Sequence, residues 1–149
     1  MATHGLPTWP WADTAAAELP PAEALLLEGI RRWSMAAREG AAHLAAMRGP
    51  FIAEDAAPAA PPLDALMQAV AASGLPAIGC LLCPRITPQE AELLLAITLA
   101  QCGCRGQALG LLLRHLPPVA AYAAMPAAIH LGFALRSAGL LLRNPLRPR

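Results

Sequence analysis

The stretch TPQEAELLLAITLAQC, residues 87–102, carries the clearest secondary-structure signal in the chain. Thr87 is a residue type that caps helices, Pro88 suits the first helical position, and Glu90 follows the cap by three residues. In this capping-box pattern, the threonine and glutamate side chains satisfy amides of the first turn that have no helical partner. We therefore predict a helix that begins at Pro88 and ends near Gly103.

The composition of the whole chain extends this prediction. The 149 residues include 35 Ala and 26 Leu but only 8 Val and Ile together; 56% are hydrophobic and 14% are charged. Ala and Leu favour helices, whereas β-branched residues favour strands. We predict an all-α fold in which residues 21–149 form a single domain, a bundle of five or six helices. A chain of this length can bury a sufficient core without a structural metal or disulfide, and the sequence predicts no cofactor.

The longest helix is expected near the N-terminus. Residues 1–20 contain Trp9, Trp11 and three prolines, and we interpret them as an extended arm that lies on the domain or docks on a partner. A helix over about residues 21–48 follows, in which apolar or small residues recur at steps of three and four. This seam faces either the rest of the bundle, which we favour, or a second copy. Its candidate interface residues are Leu26, Ile30, Trp33, Ala37, Leu44 and Met47, with Gly40 among them.

Shorter helices are predicted for the remainder of the chain. A Pro/Ala-rich linker at about residues 51–62 leads into a helix whose apolar face carries Leu63, Leu66, Met67 and Val70. Proline interrupts helices, so the prolines after residue 116 are expected to separate the last elements. Apart from the capped helix, we predict helices at about residues 62–73, 105–116 and 126–142, with a short helical turn at 119–125.

Charge is divided unevenly along the chain. Residues 1–92 contain all ten acidic residues and five Arg, a net charge of −5, whereas residues 93–149 contain six Arg and no acid, a net charge of +6. A basic surface could recruit nucleic acid or acidic lipid. Because the six arginines are spread over 57 residues, we favour the interpretation that the two parts face each other, and we do not expect nucleic acid as a partner.

The apolar composition makes a membrane span an alternative to consider. The longest uncharged run, residues 115–135, is interrupted by three prolines, and a span needs about 20 largely unbroken apolar residues. We do not expect transmembrane insertion, and a cytoplasmic location is expected because the first residues lack a signal-peptide pattern. Peripheral membrane contact stays open through the C-terminal arginines Arg136, Arg143, Arg147 and Arg149.

Four cysteines form two close pairs in the sequence, Cys80 with Cys83 and Cys102 with Cys104. Their spacing approaches that of a four-thiolate zinc site. However, a helix over residues 88–102 would hold the pairs roughly 20 Å apart, because each helical residue adds about 1.5 Å. Cys80 and Cys83 alone have redox-motif spacing, yet their leucine neighbours favour buried structural thiols. Metal or redox chemistry at these four residues is the alternative interpretation.

The sequence contains no diagnostic catalytic motif. Nucleophile-elbow, metalloprotease, phosphate-loop and dinucleotide-binding patterns are absent, and the four histidines lack metal-ligand spacing. We therefore expect a non-enzymatic helical binding or scaffold protein that contacts a protein partner or a second copy through apolar helix faces. With so few charges, an apolar patch should stay exposed, and such patches usually mark interfaces. We expect this patch along the seam or beside the last helix.

Overall fold

Six α-helices follow one another in the computed structural model, which describes residues 14–74 and 76–143. No strand forms within these ranges, where one isolated bridge joins Ala15 to Arg85. The predicted all-α fold with five or six helices is confirmed. Most of the predicted N-terminal arm, residues 1–13, lies outside the described residues. The helices are α1, Pro21–Glu39; α2, His43–Ala53; α3, Ala60–Ala71; α4, Pro88–Gln101; α5, Arg105–Leu113; and α6, Pro118–Ser137.

The prediction of one long helix over residues 21–48 is wrong. The backbone of Gly40 adopts a left-handed conformation, with φ of 67°, and ends α1. Glycine reaches this conformation without the steric strain that a Cβ would introduce, so it commonly terminates helices. A second helix, α2, begins three residues later at His43. The step pattern across Gly40 therefore belongs to two helices rather than to one.

The break at Gly40 lets α2 fold back along α1. The ring centroids of Trp33 and His43 lie 4.5 Å apart near the turn. At the other end of the hairpin, a Cβ added at Gly29 would lie 2.7 Å from the ring of Phe51. The two helices therefore run antiparallel, and the absent side chain of Gly29 makes room for the Phe51 ring.

The segment predicted as a linker, residues 51–62, contributes to the core. Phe51, in the last turn of α2, is fully buried, and the short 3-10 turn Ala57–Ala59 leads directly into α3. Alanine side chains allow this close packing, since Ala56 and Ala59 are also fully buried. α3 then buries the four side chains predicted for its apolar face, Leu63, Leu66, Met67 and Val70.

α4 lies at the centre of the molecule. The Thr87 hydroxyl accepts a 3.1 Å hydrogen bond from the Glu90 amide, and the Glu90 carboxylate accepts a 2.8 Å bond from the Thr87 amide. The predicted capping box is therefore present. Every residue from Leu93 to Ala100 is buried, because α1, α5 and α6 pack around α4.

α6 is one continuous helix that packs on α3 and α4. The prediction of a separate turn at 119–125, followed by a helix from Pro126, is wrong. Proline lacks an amide hydrogen, so Pro126 removes the helical bond to the Tyr122 carbonyl. Both side chains are exposed, and the interruption therefore falls on the solvent side, where water can satisfy a carbonyl.

Replacing Gly132 with Ala should destabilise the fold, because a Cβ there would lie 2.9 Å from the backbone Cα of Gln101 in α4. We expect the free energy of unfolding to fall by about 1–3 kcal/mol, as for overpacking elsewhere. Gly49→Ala in α2 is the matched control, since a Cβ there meets no atom within 4 Å. The control should gain up to about 1 kcal/mol from helix propensity. Urea unfolding measures both, and equal effects would contradict the close contact.

Candidate functional site

The outer face of α6 carries the main exposed apolar surface of this helix. Val119 is 85% exposed, Tyr122 62% and Phe133 71%, and Pro126 and His130 are exposed between them. The steps along this row are three, four, four and three residues, which keep all five side chains on one side of the helix. We call Val119, Tyr122, Pro126, His130 and Phe133 the α6 stripe.

The inner face of α6 is built mainly from small residues. It packs small residues against α3 and α4, so the helix approaches its neighbours closely. Gly132 marks the tightest point, beside the backbone of Gln101. Among the large residues of α6 only Met125, Leu131 and Leu135 are buried. Its small buried residues are Ala120, Ala121, Ala124, Ala127, Ala128 and Gly132.

Gln101 ties the end of α6 to α4. Its side-chain amide donates to the Gly132 carbonyl at 3.1 Å and to the Leu140 carbonyl at 3.0 Å. Its side-chain oxygen accepts from the Leu142 amide at 2.7 Å. One of these bonds reaches Gly132 within α6 and the other two reach the segment that follows the helix, so one side chain on α4 anchors the C-terminal end of α6 and with it the α6 stripe.

The α6 stripe is free of formal charge. Arg136 is the one charged residue in α6, and its guanidinium donates a 2.8 Å bond to the Gln101 carbonyl. By length and composition α6 is the one helix among the described residues that could cross a membrane, although 39% of its apolar window is buried inside the molecule. The stripe is thus an apolar surface on a helix that also belongs to the core.

The candidate interface residues of the seam belong to the core instead. Leu26, Ile30 and Met47 are fully buried and Trp33 is 2% exposed. The Trp33 indole donates a 2.8 Å hydrogen bond to Asp64 on α3. Ala37 and Leu44 are partly buried against the same core. The four buried side chains cannot meet a partner while the fold is intact, so their assignment to an interface is wrong; Ala37 and Leu44 keep part of their surface exposed.

The four cysteines do not come together. α4 separates Cys80 and Cys83 from Cys102 and Cys104, and the described residues contain no group of three or more histidines, cysteines or acids able to hold a metal. The second pair is in contact, with its sulfur atoms 3.3 Å apart. Burial, followed by the hydrogen bond with Cys104, raises the pKa of the Cys102 thiol. Cys80 is exposed.

Cys80 and Cys83 lie in a loop that a buried ion pair holds in place. Arg31 Nε donates to Glu90 Oε2 at 2.7 Å, and Nη2 donates to Oε1 at 3.0 Å. The two side chains are 3% and 0% exposed. Hydrogen bonding to Glu90 raises the pKa of the Arg31 guanidinium above its ordinary value, so Arg31 remains charged at any physiological pH.

The remaining hydrogen bonds of Arg31 and Glu90 hold the loop that contains Cys80 and Cys83. Arg31 donates to the Cys83 carbonyl at 2.8 Å and to the Arg85 carbonyl at 2.9 Å, while Glu90 also accepts from the Gly79 amide at 3.2 Å. Sequence reasoning identified Glu90 as a capping residue only. The ion pair joins positions 59 apart, and no local pattern connects them.

A small cleft between α4 and α5 contains a contact between an acid and a histidine. Sequence reasoning also missed this contact. The carboxylate of Glu92 on α4 contacts the imidazole of His115, which follows the end of α5. The pair lies beside a cavity of about 310 Å³ with apolar walls that include Val70, Leu93 and Leu112. Both partners are partly exposed, and among the described residues the pair belongs to no group of three His, Cys, Asp or Glu that could hold a metal.

Comparisons with known proteins give this chain no relative. No protein-family model matches it, and neither the curated proteins nor the solved structures contain a significant match. Function must therefore be argued from the surfaces themselves.

Arg31→Ala should strongly destabilise the protein, because it leaves the Glu90 carboxylate buried without its cation. We expect a loss of about 3–5 kcal/mol in the free energy of unfolding. Arg32→Ala is the matched control on the same helix: Arg32 pairs with Glu28 at the surface, where the side chains are 37% and 43% exposed, and such pairs contribute about 0–1 kcal/mol. Chemical denaturation of both variants gives the comparison. Similar losses would refute the central role of the buried pair.

Proposed function

We propose that this chain is a small helical binding protein that docks the α6 stripe onto an apolar helix of a protein partner. The observation that carries the proposal is the exposure of Val119, Tyr122 and Phe133 on one anchored helix face. Large apolar side chains are normally buried, and a contiguous exposed group of them is typical of an interaction surface.

The composition of the α6 stripe supports a protein partner. Fully burying a side chain of the size of Val119 or Phe133 is worth about 1.5–3 kcal/mol. Aromatic residues such as Tyr122 and Phe133 are enriched at the energetic centres of protein interfaces, where charged residues are depleted. The stripe combines two aromatic rings with an absence of formal charge.

The spacing of the α6 stripe supports a helical partner. Steps of three, four, four and three residues average 3.5, the periodicity that lets two helices pack side by side with a small crossing angle. From Val119 to Phe133 the row is about 21 Å long at 1.5 Å per residue. A partner helix of about four turns would cover it.

A benzophenone amino acid in place of Phe133 should form discrete protein cross-links on illumination in the producing cells, because the stripe would lie within reach of its partner. Ile52 is the matched control: it is an apolar side chain, 56% exposed on α2 and outside the α6 stripe. Mass spectrometry identifies the products. The proposal predicts protein products from position 133 and none of the same mass from position 52. Lipid adducts alone, or no adduct at position 133, would overturn it.

A second candidate function, a thiol-based redox site, is supported by the 3.3 Å contact between the sulfur atoms of Cys102 and Cys104. Exchange with a small-molecule disulfide would join the two sulfurs, with the two thiol hydrogens leaving on the two thiols released from the reagent. The raised pKa of Cys102 lowers its thiolate fraction at neutral pH, so the attack should be slow. We therefore propose binding through the α6 stripe as the first function and the thiol site as the second.

Treating the native protein with oxidised glutathione should convert Cys102 and Cys104 to an intramolecular disulfide if this second function holds. Trypsin cleaves after arginine, so residues 49–85 and 86–105 form separate peptides, each with one cysteine pair. The expected product is the 86–105 peptide lacking two hydrogens, with a rate that rises with pH as the Cys102 thiol ionises. The 49–85 peptide is the internal comparison. Glutathione adducts without ring closure would exclude the dithiol function.

A further inference from the structure

The cavity beside Glu92 and His115, which we call the α4–α5 cavity, has the size and lining of a small-molecule site. Its volume is about 310 Å³, and protein sites for small ligands measure about 300–1,000 Å³, with mostly apolar walls and a few polar groups. Apolar walls come from Val70 of α3, Leu93 of α4 and Leu112 of α5. Because these three side chains also belong to the core, the walls are held in place without a ligand.

The polar groups of the α4–α5 cavity lie at its rim. Gln89 and Glu92 come from the first two turns of α4, and His115 follows the end of α5. The Glu92 side chain is 33% exposed. Among the described residues that line the cavity, Glu92 is the one acid, and none is an arginine. A ligand that enters the cavity therefore meets a carboxylate at the rim.

Glu92 has acceptor capacity beyond its contact with His115. That contact joins Glu92 Oε2 to His115 Nε2. A carboxylate offers about four acceptor sites on its two oxygens, and an ammonium group has three donors and no acceptor. Hydrogen bonds that involve an ionised group are roughly twice as strong as those between neutral groups. An ammonium group at the rim would therefore find a strong partner in Glu92.

We propose that the α4–α5 cavity binds a small primary amine with an apolar body. The ammonium group donates to Glu92, and the apolar body fills the space beside Val70, Leu93 and Leu112. No residue of the α6 stripe lines this cavity. The amine site is therefore a separate site and does not depend on the binding function proposed for the stripe.

Charge distinguishes an amine from an acid or an alcohol of the same shape. An acid would bring a second negative charge next to Glu92, and like charges at short distance disfavour each other. An arginine that could offset this repulsion is missing from the described lining residues, and the imidazole of His115 already contacts Glu92. An alcohol avoids the repulsion but brings no charge of its own. The order of affinity should therefore be amine, then alcohol, then acid.

The volume of the cavity sets the size of the ligand. A water molecule takes about 30 Å³ in the liquid, so the space corresponds to about ten waters and to a ligand of about ten non-hydrogen atoms. 2-Phenylethylamine is of this size. It combines a flat apolar ring with an ammonium group that is charged at neutral pH, as that of lysine is. 2-Phenylethanol and phenylacetate have nearly the same shape and differ in charge.

Titration of the full chain with these three probes, monitored by amide NMR in phosphate buffer, tests the site. We expect 2-phenylethylamine to shift the amides of Val70, Leu93, Leu112 and His115 most, and to bind about five-fold or more tighter than 2-phenylethanol. Phenylacetate should bind more weakly than the alcohol. Equal binding of the amine and the alcohol, tighter binding of phenylacetate, largest shifts outside the cavity, or no shifts at all would each overturn the amine site.

Glu92→Gln removes the charge of the carboxylate and keeps its shape. This variant should bind 2-phenylethylamine about five-fold or more weakly than the unsubstituted chain, and should bind 2-phenylethanol as before. Glu39→Gln is the matched control, since Glu39 is exposed at the end of α1 and does not line the cavity. An equal loss in both variants, or no loss with Glu92→Gln, would contradict the proposal. If Glu92→Gln gives no folded amide spectrum, the comparison of the three probes on the unsubstituted chain decides.

Discussion

The buried ion pair between Arg31 and Glu90 is the constraint on which the rest of the structure depends. Both charges are almost fully removed from water, and such a pair is tolerated only when its hydrogen-bonding capacity is filled. The loop before α4 therefore turns its backbone groups inward, with the Cys83 and Arg85 carbonyls bonded to Arg31. This holds the start of α4 against α1 and sets the direction of the helix around which α5 and α6 pack.

The interior explains the surface of α6. Close approach to α4 requires small residues on the inner face, and Gly132 lies where a Cβ would strike the Gln101 backbone. A helix usually places its large apolar residues inward, whereas three of those in α6, Val119, Tyr122 and Phe133, are exposed. The exposed stripe is therefore the other side of the same helix that completes the core.

Local chemistry made some elements predictable. The capping box at Thr87 and the apolar face of α3 involve residues within a few positions, so their spacing carries the information. The prediction of one long helix over residues 21–48 was wrong because apolar residues spaced three and four positions apart give the same sequence pattern in one helix and in two helices that form a hairpin. The helix break predicted at Pro126 was wrong because a proline ends a helix only where the carbonyl that loses its hydrogen bond finds no other partner. Pro126 is exposed in α6, where water can bond to that carbonyl.

By itself the sequence determined the helical class, the capped start of α4 and the scarcity of charge in the last helix, where Arg136 is the one charged residue, because propensity, capping and composition are local properties. Tertiary structure alone decided which apolar face is covered. The seam with Leu26 and Trp33 became core because α2 folds back at Gly40 and α3 packs beside it. The α6 stripe stayed exposed because α3 and α4 occupy the opposite side of that helix. Long-range packing divides equally apolar faces between core and surface, and residue spacing does not encode that choice.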